Sequence, residues 1–350
     1  MSARVYLDHN ATMPLRPEAR EAMITAMDVV GNPSSVHAEG RAARAVVERA
    51  RVQVAAAVGC TPSEVVFTSG ATEAATILRR FEGDVTVEPT AHDALWAWHG
   101  GGERMLAVGV ACGETGVVND LPVRDDEGMW HFGALKGRSL LLDATQALGR
   151  IPFAYSWTGA ALAIVSAHKL GGPKGVGALI VKDGLDSGPL QPGGGQELGR
   201  RSGTENVIGI AGFGAAAEAA MHDLANGVWD EVATLRDLFE EVISTEEKSS
   251  IFLGKNGVRL PNTTLMITPG WKGATQVMAM DLAGFAVSAG AACSSGKVKV
   301  SRVLRAMGFD EDSAGSAIRV SLGTGTTRDE VLRLAEAWLG KRKAMRERAA

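Results

Sequence analysis

The sequence predicts an α/β protein with a large mixed, mostly parallel sheet domain and a smaller α+β domain, and three observations carry that expectation. The 350 residues are enough to bury two cores. From residue 65 to residue 181, short apolar runs alternate with helix-length or polar connections, the pattern of a mostly parallel sheet covered on both faces. After an acidic stretch around 229–250 the pattern restarts with shorter elements. The boundaries read from this are 14–249 for the large domain, and 1–13 with 250–350 for the small one.

A short strand leads from the N-terminus to Asp8. Helical spacing covers roughly 17–29 and 36–58, the second with Ala42, Val46, Ala50, Val54 and Ala57 as one buried stripe. Strands are expected at 65–67, 84–87, 105–110, 140–142, 160–165 and 177–181. A solvated helix follows over 229–250. The remainder reads as a strand in 262–268, a helix over 274–282, a strand at 285–288, a helix over 301–307, a strand at 317–321 and a last helix. Thr327-Arg-Asp-Glu330 has the spacing of a capping box for that helix.

Composition narrows the function. The 45% apolar fraction argues against disorder, and the longest apolar runs, such as 160–165, are too short to span a bilayer. The start of the chain lacks the basic and apolar regions of a signal peptide, so cytoplasm is the expected compartment. A net charge of −4 with bases and acids intermixed gives nucleic-acid binding no support. Cys60, Cys112 and Cys293 lie far apart, forming neither a disulfide framework nor a zinc-knuckle spacing. No metal site is expected, and a working thiol is compatible with this pattern.

In a parallel sheet, ligands bind beyond the carboxyl ends of strands, and the segments there are polar. Ser69-Gly70-Ala71-Thr72 links a strand to a helix, where backbone N–H groups and the Thr72 hydroxyl can cradle a phosphate; alone, a glycine turn serving only geometry is the ordinary reading. Asp143 ends one strand and Gln146 follows three residues later. A buried carboxylate needs a partner such as a protonated ring nitrogen, although a plain turn cap is the ordinary reading. Lys169, in Ser166-Ala-His168-Lys169, sits where a pocket would suit a lysine that must lose its proton. Lys174 competes for that role, and a surface lysine is the ordinary alternative. His92 precedes Trp96 and Trp98 and is placed to stack on a flat aromatic group or to serve merely as a core or surface histidine.

These motifs, together with Tyr6-Leu-Asp-His-Asn-Ala-Thr12, Gly31-Asn-Pro-Ser-Ser-Val-His37, Gly199-Arg-Arg-Ser-Gly-Thr-Glu-Asn206, Ala289-Gly-Ala-Ala-Cys-Ser-Ser-Gly296 and Ile318-Arg-Val-Ser-Leu-Gly323, resemble the NifS/IscS-like cysteine desulfurases. Those proteins fall within the class V aminotransferases of the fold-type I pyridoxal-phosphate enzymes, and the likeness runs nearly end to end. It implies pyridoxal 5'-phosphate anchored on Lys169, with Asp143 at the pyridine nitrogen, Gln146 at the phenolic oxygen and His92 stacked on the ring. Gly70, Ala71, Thr72, Ser166 and His168 would surround the phosphate, and Thr204 would reach it from a neighbouring subunit. A homodimer with shared active sites follows from that last role.

The resemblance further implies L-cysteine as substrate, its carboxylate gripped by Arg319 with help from Asn32, and Cys293 as the nucleophile that takes the sulfur as a persulfide. A segment of the longer-loop kind after Cys293 implies delivery to a sulfur acceptor or an iron–sulfur scaffold protein. Selenocysteine or cystine lyase activity, or a weakly active sulfur-trafficking or regulatory paralog, are the alternative expectations. Three departures from the family pattern bear on them. Gly113 stands where an asparagine ordinarily contacts the phenolic oxygen, Cys112 precedes it as either an inert filler or a second thiol, and the C-terminal tail used for scaffold docking is short.

Overall fold

The computed structural model describes residues 4–289 and 300–349. The chain divides into two compact units, one of Thr12–Ala111 with Asn119–Asn226 and the other of Met1–Ala11, Cys112–Val118 and Gly227–Ala350. The second unit therefore begins ahead of the expected boundary near residue 250, at the start of the Val228–Glu246 helix.

In the first unit, among the described residues, six strands form one sheet in the order Val65–Thr68, Gly177–Val181, Leu162–Ser166, Ser139–Asp143, Met105–Gly109 and Val85–Val87. These are the six apolar runs of the sequence. Gly177–Val181 is antiparallel to both neighbours, and the remaining pairings are parallel. Every residue of Val65–Thr68, Met105–Gly109, Leu162–Ser166 and Gly177–Val181 is buried, so these runs carry no in-out alternation. A separate small antiparallel sheet of Val123–Arg124, Trp130–Phe132 and Leu135–Gly137 had no counterpart in the sequence reading.

Helices Pro17–Met27 and Ala38–Val58 both pack on Val207–Ala225. The buried stripe of the second is Ala43, Val47, Ala50, Val54 and Ala57, so the expected face is turned by one residue in its first half; Ala42 is exposed and Val46 half-buried. The shared part of the stripe packs closely: a Cβ on Gly214 would lie 2.7 Å from the Ala50 Cα, so the two helices meet backbone to backbone at that point. Asn206 caps the Val207–Ala225 helix by accepting from Gly209 N at 3.0 Å.

In the second unit, a four-stranded antiparallel sheet runs Ile251–Phe252, Thr263–Ile267, Ala317–Ser321, Ser288–Ala289 among the described residues. The strand expected at 285–288 is two: Phe285–Ala286 pairs in parallel with Val5–Tyr6, and Ser288–Ala289 pairs with Ala317–Ser321. Helices Val228–Glu246 and Gly273–Leu282 pack on Arg328–Ala349. The capping box forms, with Thr327 N donating to Glu330 Oε2 at 2.8 Å and Glu330 N to Thr327 Oγ1 at 3.3 Å. Among the described residues no helix is long and apolar enough to cross a membrane.

One buried ion pair fixes the polar loop of the first unit. Glu197 and Leu198 both have positive φ, 51° and 58°, a conformation that costs non-glycine residues about 1–3 kcal/mol each. Glu197 is held there by Arg51, whose two Nη groups donate to its oxygens at 2.8 and 2.7 Å, and by Phe67 N at 2.8 Å. Replacing Arg51 by Met strands that carboxylate in the interior. We expect Arg51→Met to lower unfolding free energy by about 3–5 kcal/mol, measured from the urea midpoint, and the double replacement Arg51→Met/Glu197→Leu to recover most of the loss.

Candidate active site

The carboxyl ends of the parallel strands fall on one edge of the first unit's sheet, and the register shows how closely. Gly177 lies opposite Thr68 on one side and Ser166 on the other, and Asp143 lies opposite Ile164 and Gly109. A Cβ on Gly177 would come within 2.7 Å of the Gly70 Cα and 2.6 Å of the Val165 carbonyl oxygen, so only glycine permits this approach. The turn at Ser69 and Gly70 is thereby set beside the Ser166 turn; an added Cβ on Gly70 would stand 3.9 Å from Ser166 Oγ. Ala71 and Thr72 open the short helix Ala71–Ala75, with Thr72 exposed.

Lys169 closes a single 3-10 turn, Ala167–Lys169, directly after the Leu162–Ser166 strand, and is half-buried. The segment from His168 to Gly171 is clamped by the start of the unit. Met13 N donates to the His168 carbonyl at 2.9 Å, Arg16 N to the Gly171 carbonyl at 2.8 Å and Arg16 Nε to the Leu170 carbonyl at 2.8 Å. Asp143 is buried and its Oδ1 accepts from Thr145 N at 2.9 Å. Thr145 Oγ1 is buried beside it with no partner among the described residues, a hydroxyl available to a ligand. Gln146 is half-buried, and its Oε1 accepts from Arg150 Nη1.

Electrostatically, this edge is cationic. Burial, followed by the charges of Lys169, Lys174 and Arg150, pushes the His168 imidazole down to about 4. His168 is therefore neutral at physiological pH and can donate one ring N–H, while the surrounding cations favour an anionic ligand. His92 is exposed and caps the Asp93–Trp96 turn, its Nδ1 accepting from Ala94 N at 3.1 Å. With Nδ1 accepting, the ring is the Nε2–H tautomer. Trp98 lies beyond that turn, and Trp96 stacks on His99 at 4.6 Å between ring centres.

The loop bearing Thr204 is joined to the turn at Ser69 by a second ion pair. Arg201 Nε donates to Glu73 Oε1 at 2.8 Å, and Glu73 Oε2 accepts from Ser69 N at 2.7 Å. Thr204 itself is exposed. Asn32 is exposed as well, its Oδ1 turned back to accept from Ser34 N at 2.9 Å. Sequence reasoning assigned no role to Glu73, Arg201 or Arg150. Glu73 directly follows the Ser69–Thr72 turn, Arg201 stands inside the Gly199–Asn206 motif, and Arg150 stands four residues after Gln146, a spacing that was the available signal.

In the second unit, Arg319 occupies the middle of the Ala317–Ser321 strand. Its Nη2 donates to Asp8 Oδ1 at 2.7 Å and its Nη1 to the Gly113 carbonyl at 2.9 Å, while its Nε is buried without an acceptor among the described residues. Ser288 Oγ holds the other Asp8 oxygen at 2.9 Å, and Asn10 Nδ2 shares the Gly113 carbonyl at 3.0 Å. Gly113 thus contributes its backbone to fixing the arginine. Cys112 is buried and burial pushes its thiol pKa up, which favours the inert reading of that residue. Cys293 lies outside the described residues.

A model of the family described as aminotransferase class-V matches residues 5–92 and 101–334. The chain belongs to this family, in its NifS/IscS-like cysteine desulfurase branch. It is similar to a cysteine desulfurase of Frankia sp. (strain EuIK1), 39% identical over 372 residues that cover 93% of this chain and 88% of the relative. A cysteine desulfurase of Cereibacter sphaeroides is 37% identical over 373 residues, covering 95% and 94%. Among solved structures, a NifS-like protein from Rickettsia africae ESF-5 superimposes with a TM-score of 0.86 at 28% identity, covering 97% of this chain and 99% of that one. The architecture is accordingly that of the fold-type I pyridoxal-phosphate transferases, as the sequence predicts.

The low pKa of His168 has a checkable consequence. As pH falls from about 6.5 toward 4, the unfolded chain takes up a proton that folded His168 refuses, so this residue withdraws stability over that window. We expect its imidazole resonances to stay in the neutral form down to about pH 5. His168→Gln should flatten the loss of stability between pH 6.5 and 4, read as the pH dependence of the thermal midpoint.

Proposed function

We propose that this protein is a pyridoxal-phosphate-dependent cysteine desulfurase that converts L-cysteine to L-alanine and retains the sulfur on Cys293 as a persulfide. The observation that carries the reading is the placement of Lys169 on the turn leaving one strand, on the same sheet edge as buried Asp143 of the neighbouring strand. The donor set fits the cofactor. Lys169 would hold it covalently, Asp143 would balance a protonated ring nitrogen, and Gln146 would donate to the phenolic oxygen. Ser166, neutral His168 and the Gly70-Ala71-Thr72 turn would receive the phosphate, with His92 over the ring.

When bound, the cofactor supplies an electron sink for charge developing at the substrate α-carbon. The protein's own groups do the rest. Arg319 orients the substrate carboxylate through its guanidinium, with Asn32 assisting. Lys169 Nζ takes and returns the α-proton, as a lysine in a cationic, partly desolvated site can do near neutral pH. Cys293 thiolate attacks the substrate sulfur, so that an S–S bond forms as the C–S bond breaks and its electron pair stays with the carbon, which is protonated. The balance is L-cysteine plus a thiol giving L-alanine plus a persulfide.

The exposure of Thr204 on a loop anchored by two ion pairs supports a homodimer in which it serves the neighbouring subunit's phosphate. The persulfide is then passed to an acceptor protein for iron–sulfur assembly or sulfur trafficking. Incubation with L-cysteine should release alanine and build a labelled persulfide on Cys293, and Cys293→Ala should lose the persulfide and most of the alanine. Alanine formation unaffected by that substitution rules out the nucleophile. Lys169→Ala should abolish the visible absorbance of the bound cofactor; a purified wild-type protein with no such band, even after addition of pyridoxal phosphate, sinks the reading.

A further inference from the structure

Arg150 is among the largest fully buried side chains of the protein, 2% exposed, on the segment that follows Asp143 and Gln146. A guanidinium keeps its charge at any pH the protein meets, and burying one is a poor way to gain stability compared with an apolar side chain of equal volume. Its contacts indicate another use. Nη1 donates to Gln146 Oε1, and Nη2 donates to the Lys169 backbone carbonyl at 2.9 Å. One side chain therefore bridges two residues that the sequence separates by more than twenty positions and that the proposed function assigns to neighbouring atoms of one ligand.

From this geometry we infer that Arg150 is a positioning residue of the cofactor site, fixing the Gln146 amide and the Lys169 backbone while placing a permanent positive charge between them. The inference rests on the function proposed above. An arginine only donates, so Gln146 must present its carbonyl to it, and this turns the amide nitrogen to the opposite side of the side chain. Tethering the Lys169 carbonyl limits the excursion of the residue whose Nζ must reach both a ligand and a substrate proton. The charge acts locally, since Arg150 is one of the three cations that, after burial, hold His168 neutral. Arginine rather than lysine suits this place because its planar fork reaches two acceptors that point in different directions.

A pH titration of the visible absorbance of the bound cofactor tests the inference in the holoenzyme, because a protonated linkage to Lys169 is disfavoured by a nearby cation. We expect Arg150→Met to hold cofactor but to shift the midpoint of that titration upward by about one pH unit or more. Arg150→Lys, which keeps the charge and loses the fork, should shift it by less than half as much. In both variants kcat for alanine formation should fall several-fold more than KM changes. A midpoint in Arg150→Met equal to that of the wild type, at equal cofactor content, overturns the inference. Should the Met variant fail to fold, Arg150→Gln is read in the same way. Absence of a visible band in the wild type is a different result, since it removes the cofactor reading itself.

Discussion

The site depends on one steric constraint, the absence of a side chain at Gly177. The antiparallel strand Gly177–Val181 lies between two strands that run the same way, and its first residue faces the carboxyl ends of both. With backbone atoms 2.6 and 2.7 Å from where a Cβ would stand, the Ser69-Gly70 turn and the Ser166–Lys169 turn are brought side by side. A methyl group there would have to displace backbone on both sides, in a sheet whose strands are buried on each face and cannot yield without disturbing the core. The Ser69-Gly70 turn and the lysine turn are thus adjacent because the sheet is closed tightly at one residue.

Rigidity on that edge is extended outward by charge. The loop from Gly193 to Asn206 is rich in glycine and polar residues and would be mobile on composition alone. Two ion pairs tie it down: Arg51 with Glu197, fixed to the Val65–Thr68 strand through Val65 O and Phe67 N, and Arg201 with Glu73, fixed to the turn at Ser69. The first is almost wholly buried, where a bidentate geometry with further backbone hydrogen bonds is the condition for such a pair to be tolerated. Left-handed backbone at Glu197 and Leu198 is sustained by these contacts. The loop is thus strained and yet anchored, which is compatible with the role proposed for its exposed Thr204.

What the sequence revealed, and what it did not, follows from the same physics. Fully buried strands read as unbroken apolar runs, so all six were visible, and polar residues just after them marked the candidate edge. Lys169, Asp143, Gln146 and Ser166 were legible because each stands within a few residues of such a run. The buried face of the Ala38–Val58 helix differs from the expected one at Ala42 and Val46 because alanine and valine fill both faces of that helix, and local spacing alone does not decide between them. The strand at 285–288 split because neighbouring residues pair with two different sheets, a tertiary choice that no local pattern encodes. Arg150 was not legible because an arginine in sequence reads as surface, and its spacing from Gln146 is a weak signal until its burial is seen.

Arg319 extends this reasoning to the second unit. Its two Nη groups are already engaged, one by a carboxylate and one by a carbonyl, while its Nε–H is buried and unsatisfied among the described residues. A buried donor without an acceptor carries a cost of about 1–3 kcal/mol, and an incoming carboxylate that reaches it recovers that cost on binding. Asp8 neutralises the guanidinium in the meantime, so a bound anion gains orientation and a satisfied hydrogen bond more than raw Coulomb attraction. Such an arrangement favours discrimination by shape and donor geometry over tight binding. Under the proposed function, with a small amino acid as substrate, the difference between candidates of equal charge would then come from the thiol end of the molecule.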